Sequence, residues 1–343
     1  MRRQRAIALA LLATLTAVGP AGGQMDTGAD IRYRLRTSVE LVLVPVTVKD
    51  RDGNLVTDLA REDFTLLENG EPQPIRYFST DPFPLSAVVL VDRGLDRTAE
   101  EAVQSTLPLL ASSLAPGDEF ALLSFDAYPR TVLGFTSDPE ALRHALAKLE
   151  KSAGEPAPAA ASLATGPMSA GPRVNAVPVG PGAPNSTAAS PRAVKCLHDA
   201  LYAAGMTLRE REAGRRRVIF LLSDGRNSRL NVHTAEETRA LLLSEDISVY
   251  AVGVGEARYP RGSSLLADYA RATGGDVYAP ASRTALEQAH KRVAEQARYQ
   301  YTLVYTARAA PGSREFRRIE VKVRRAGVQV QARQGYYAGL PEH

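Results

Sequence analysis

The residue types that do covalent chemistry are badly placed for it in this chain. His144, His198, His233 and His290 are scattered over predicted helices or their starts, and no two of them have metal-ligand spacing. Cys196, the single cysteine, precedes an apolar helix face and reads as a small buried hydrophobe and not as a nucleophile. There is no Gly-x-Ser-x-Gly or Walker-type loop, and Gly253-Val254-Gly255 lacks the third glycine of a dinucleotide fingerprint. No nucleophile–base–orienter set can be assembled. What remains is charge at element ends. Asp92 and Asp96 follow the apolar run Leu85–Val91, Asp224 follows Arg217–Leu222 in Ser223-Asp224-Gly225, and Lys195 precedes the apolar segment Leu197–Leu201. These residues are read as a binding constellation.

The elements that must position these loops follow from hydrophobic periodicity. From Pro84 to about Arg298, short apolar runs alternate with helical spacing. Leu85–Val91, Glu119–Ser124, Arg217–Leu222 and Ile247–Val252 read as buried strands, Arg130–Phe135 as an edge strand and Asp276–Ala279 as a last short one. Helices are predicted over Ala99–Leu114, Asp138–Leu149, Val194–Glu212, Thr234–Glu245, Ser264–Thr273 and Ser282–Arg298, several with capping residues at their starts. This alternation predicts an α/β fold, a doubly wound, mostly parallel sheet over residues 81–298, in which ligands bind at the carboxyl ends of the strands near the switch point. The segment 152–191 is dominated by Ala, Pro, Gly and Ser and reads as a disordered or extended insertion, entering beside the Lys195 loop.

Both ends of the chain read as β. Val39–Lys49 alternates apolar and polar residues, with Pro45 suggesting an edge strand or bulge. Phe64–Glu68 runs into the hairpin signal Asn69-Gly70, with Ile75–Ser79 as the expected return. Tyr299–Ala307, Glu315–Val323 and Val328–Arg333 alternate again. Residues 38–80 and 299–338 are each too small to stand alone, so the expectation is one discontinuous β-sandwich through which the α/β domain is inserted.

Composition narrows the function classes. A basic Met1–Arg5, the apolar run Ala6–Val18 and small residues at Gly19–Gly23 read as an export signal over residues 1–23, the alternative being an uncleaved anchor. No cysteine follows that run, and no other stretch is long and apolar enough to cross a membrane, so the mature chain is expected to be extracytoplasmic, periplasmic or secreted, with no stable span. Losing Arg2, Arg3 and Arg5 with the leader lowers the formal charge from +4 to +1, which gives no support for nucleic-acid binding. One cysteine excludes an internal disulfide framework and a cysteine-rich metal site. The absence of Trp and 6% aromatics argue against a base-stacking or sugar-binding surface. Arg215–Arg217, Arg317-Arg318 and Arg324-Arg325 read as solvated helix-end and strand positions.

Several motifs together resemble von Willebrand factor A (VWFA) domains, and more closely the extracytoplasmic VWFA-related family typical of acidobacteria. They are VELVLVPVTVKDRDGNLVTDL from Val39, VVLVD ending at Asp92, LHDAL from Leu197, VIFLLSDG ending at Gly225, YARATGGDVY from Tyr269, and FRRIEVKVRR…ARQGYY at the end, so the resemblance covers roughly residues 38–338. It implies a metal-ion-dependent adhesion site on the three loops, built from Asp-x-Ser-x-Ser, a Thr and an Asp, whose hard oxygen ligands suit Mg²⁺. Asp92 matches the first Asp and Asp224 the last, but the two Ser positions are Gly94 and Asp96 and the Thr position is Lys195. An ammonium reaching between Asp92, Asp96 and Asp224 replaces a +2 ion by a fixed +1 charge, and a cluster so satisfied gains little from a metal. The resemblance therefore implies a protein-interaction module, not an enzyme. Its loop face, Asp92, Gly94, Asp96, Lys195 and Asp224, would meet a protein partner without a cofactor. The alternatives are an adhesin that still holds Mg²⁺ or Ca²⁺ on Asp92, Asp96 and Asp224, and a hydrolase.

Overall fold

A computed structural model describes residues 38–112, 115–151, 173–174, 177–178, 194–212, 214–258, 264–309 and 315–338. The expected signal segment 1–23 lies outside the described residues. So does most of the insertion 152–191, of which Arg173–Val174 (β8) and Val177–Pro178 (β9) pair antiparallel.

The central sheet contains β5 (Leu85–Asp92), β6 (Glu119–Phe125), β7 (Pro129–Thr136), β10 (Arg216–Ser223), β11 (Ile247–Gly253) and β12 (Val277–Tyr278). Their order is β12-β11-β10-β5-β6-β7, all parallel except the edge strand β7. Every residue of β5 is buried, because both faces of the sheet are covered. Ala87, Val89 and Val91 face one layer with α1 (Arg97–Ser112), α2 (Pro139–Lys151) and α6 (Arg283–Arg298). Val88 and Leu90 face the other with α3 (Leu197–Arg209), α4 (Ala235–Ser244) and α5 (Ser264–Thr273). The strand order reverses between β5 and β10, so the switch point opens where β5 ends in Asp92 and β10 runs into Asp224.

The helix starts follow the capping chemistry in the sequence. Thr234 and Glu237 form a reciprocal capping box on α4, and Ser282 Oγ accepts the N–H of Ala285 at the start of α6.

The chain ends supply two four-stranded antiparallel sheets. One has the order β15-β1-β13-β4, from Gln329–Ala332, Ser38–Lys49, Tyr301–Ala309 and Tyr77–Ser79; the other has β16-β14-β2-β3, from Gly335–Tyr337, Phe316–Val323, Phe64–Glu68 and Glu71–Gln73. Val42, Val44, Val46, Leu303 and Tyr305 of the first share one apolar core with Phe64, Leu66 and Ile319 of the second. Glu68 ties the two sheets together, accepting the hydroxyls of Tyr305 (2.5 Å) and Tyr336 (2.8 Å) and pairing with Arg317 (3.0 Å).

Three local expectations are corrected. Pro45 lies in an interior strand, not at an edge, and is tolerated because β15 pairs only with Val46–Lys49, leaving no ladder neighbour on that side of Pro45. The strand returning from Asn69-Gly70 is Glu71–Gln73, while Tyr77–Ser79 crosses to pair with β13 in the other sheet; Pro74 between them has no N–H with which to extend the hairpin ladder. The triplet Arg215–Arg217 is not a solvated run. Arg216 is only 9% exposed, and its neighbours pair with Glu119 and Glu245.

Candidate functional site

Three loops meet at the switch point. The chain entering α3 is bonded to both of its neighbours, the N–H of Cys196 to the carbonyl of Asp126 (2.9 Å) and the carbonyl of Lys195 to the N–H of Ser228 (2.7 Å). Asn227 Oδ1 accepts the N–H of Leu197, and Asn231 Oδ1 accepts those of His198 and Asp199, so the first turn of α3 is capped by a loop 30 residues away. Asp199 in turn accepts the N–H groups of Val232 (2.9 Å) and His233 (2.7 Å). These bonds hold Lys195 rigidly over the ends of β5 and β10.

Asp92, Lys195 and Asp224 are 1%, 3% and 5% exposed. Lys195 Nζ donates to Asp92 Oδ2 at 3.1 Å and to Asp224 Oδ2 at 2.7 Å. Asp92 Oδ2 also accepts from Ser223 Oγ (2.8 Å), and the other two oxygens take backbone N–H groups, Asp92 Oδ1 that of Gly94 (2.8 Å) and Asp224 Oδ1 that of Arg226 (3.0 Å). Burial pushes the Asp92 carboxyl above its ordinary range, against the pull of the Lys195 ammonium.

Asp96 takes no part in this triad. Its Oδ1 accepts the N–H of Ala99 (2.9 Å) at the start of α1, so its work is helix capping. Gly94 contributes only its N–H. Of the five residues expected on the loop face, the structure therefore joins Asp92, Lys195 and Asp224 directly, Gly94 through its backbone, and leaves Asp96 to one side. Ser223, Asn227, Asn231 and Asp199 were not foreseen; the signal that could have found them is the density of Ser, Asn and Asp after β10 and at the start of α3.

A divalent cation at the adhesion-site position would need free oxygen donors; here Asp92 and Asp224 converge on the Lys195 ammonium, and Asp96 Oδ1 accepts the N–H of Ala99. Among the described residues no group of three His, Cys, Asp or Glu side chains could hold a metal ion.

The rim is charged and apolar. Arg226 forms a two-bonded ion pair with Glu256, and Leu230 and Val232 stand exposed on the loop that the two asparagines pin.

No family model matches the sequence, and no curated protein matches it. Solved structures do. A von Willebrand factor type A protein from Catenulispora acidiphila is 12% identical, with 87% of this chain and 71% of that one covered and a TM-score of 0.43. The conserved hypothetical protein BatB from Bacteroides thetaiotaomicron is 14% identical over 62% of this chain and 98% of its own, with a TM-score of 0.38. Proximal thread matrix protein 1 from the mussel byssus, with a zinc-occupied MIDAS motif, is 17% identical over 67% of this chain and 50% of its own, with a TM-score of 0.43. Each of these identities is below 20% and each of these TM-scores below 0.5.

Proposed function

We infer that the protein is an extracytoplasmic interaction module of the VWFA-related type, without catalysis, and that its loop face works without a metal. The observation that carries this reading is the Lys195 ammonium, bonded to both Asp92 and Asp224 where a cation would otherwise sit. A buried ion-pair triad fixes loop geometry independently of any bound ion, so the rim can present a preformed surface. Arg226, Glu256, Leu230 and Val232 supply that surface, an ion pair and two exposed apolar side chains. In this reading the two antiparallel sheets are a β-sandwich split by the α/β part, which leaves at Ser79–Leu85 and returns at Arg298–Tyr301.

The test is chemical cross-linking of the purified protein to the exported proteins of its own cell, repeated with millimolar Mg²⁺ and with chelator. The same partner is expected in both, and Leu230→Asp or Arg226→Glu should lose it. A partner seen only with metal, or held equally by both variants, would contradict the reading.

A further inference from the structure

At the other end of β10, about 23 Å from Ser223 at the rise of a strand, lies a second feature that the loop face does not use. Arg216, the first residue of β10, is 9% exposed and lines a cavity of about 220 Å³ with Leu43, Pro45 and Phe83. Its guanidinium has neutral partners only. It donates to Gln300 Oε1 (2.7 Å), to the Gln300 carbonyl (2.9 Å) and to Thr302 Oγ1 (3.0 Å), and the ring of Phe83 lies 5.1 Å from its centre. Its Nε is buried with no partner.

The other charged residues lining the cavity are Arg215, Arg217, Glu245, Asp246 and the exposed Glu212. Arg215 pairs with Glu119, Glu245 with Arg209 and Arg217, and Asp246 with Arg333, while Arg216 has no carboxylate among the described residues. Burial draws its pKa down to about 10, which leaves it charged at neutral pH. A buried cation with no counter-ion is costly, and an anion entering the cavity would gain the charge of the guanidinium and the one Nη1 hydrogen left after the bonds to Gln300 and Thr302. Leu43 and Pro45 bring apolar wall to the same opening, so a bare inorganic anion would leave most of the cavity unfilled.

We propose that this cavity is a binding site for a small carboxylate carried on a compact apolar body, the carboxylate facing Arg216 and the body lying against Leu43, Pro45 and Phe83. The site has room for roughly ten heavy atoms, the size of an arylacetate. It is independent of the loop-face reading, since no residue is shared between them.

Phenylacetate is a suitable probe, followed by thermal unfolding and calorimetry on the full chain, with equal sodium chloride as the salt control. A rise in Tm of about 3 °C is expected at ten times the Kd. Phenylacetamide, which has the same shape without the charge, should give none, and acetate much less. Leu43→Glu places a negative charge at the mouth from an outward-facing position, and should weaken binding at least about tenfold without unfolding the sheet. Phe83→Leu, which keeps an apolar wall but removes the ring beside the guanidinium, should weaken it by about threefold. No shift at about 10 mM phenylacetate, an equal shift from phenylacetamide or from acetate, or unchanged binding by folded Leu43→Glu would each overturn the proposal.

Discussion

Replacing Lys195 by Met keeps the volume of the side chain and removes its charge. At an effective dielectric constant of about 20, an ammonium 3.1 Å from one carboxylate and 2.7 Å from another is attracted by roughly 5–6 kcal/mol to each. Most of this is offset by taking three charges out of water, but the variant leaves Asp92 and Asp224 buried together with no cation between them. Breaking a buried ion pair from one side typically costs 3–5 kcal/mol, so a loss of about 4 kcal/mol is expected at pH 7. The pH dependence identifies the cause. Without the ammonium, the folded-state pKa of Asp92, already raised by burial, rises further above its unfolded value. Stability is then present at low pH and lost as pH rises through the folded pKa, so the variant should recover part of the loss between pH 7 and pH 5. Urea unfolding followed by far-ultraviolet circular dichroism measures both quantities; the chain has no Trp to report by fluorescence. A loss below about 1 kcal/mol at pH 7, or a loss independent of pH, would refute the argument that this triad is a charge-balanced unit.

Three further predictions concern the frame. His290, 1% exposed and bonded to Thr106 Oγ1 at 3.0 Å, has its pKa drawn down to about 4 by burial, so it folds neutral while the unfolded chain takes up a proton. Its contribution is intact above about pH 6.5 and is lost as pH falls toward 4, roughly 3 kcal/mol in all, and His290→Gln should flatten that part of a pH–stability curve. A Cβ on Gly275 would lie 1.9 Å from the carbonyl oxygen of Val249, and Gly275→Ala should lower stability by about 3 kcal/mol in urea unfolding, with a shift below about 1 kcal/mol refuting so close an approach. Glu68→Leu strands Arg317 and two tyrosine hydroxyls between the sheets and should cost about 3 kcal/mol, whereas Glu68→Gln, which keeps an acceptor, should cost less.

The α/β part was legible because its signals are local. Leu85–Val91 and Ile247–Val252 are nearly continuous apolar runs since both faces of the sheet are covered, and Thr234 and Ser282 announce their helices by capping chemistry. The small strands were harder. Glu71–Gln73 and Gly335–Tyr337 are shorter than any alternation can reveal, and the transfer of Tyr77–Ser79 to the other sheet is decided by pairing with β13, more than 200 residues away. Lys195 stands out only where the resemblance expects a threonine; nothing in its neighbours Val194 and Cys196 announces a buried charge. Asp96 is ambiguous in the sequence: a carboxylate four residues after Asp92 is as suitable for a helix cap as for a cation, and in the fold its Oδ1 accepts the N–H of Ala99. The burial of Arg216 depends on Gln300 and Thr302, which only the fold brings to it.

The most direct measurement is thermal unfolding in millimolar Mg²⁺, Mn²⁺ or Ca²⁺ against chelator, with the unaltered protein beside Lys195→Thr. A ion that binds only the folded state must raise its Tm. No shift is expected in the unaltered protein, and a metal-dependent rise of about 2 °C or more in Lys195→Thr, where a hydroxyl replaces the ammonium between Asp92 and Asp224. A clear rise in the unaltered protein would contradict the claim that lysine has taken the metal's place.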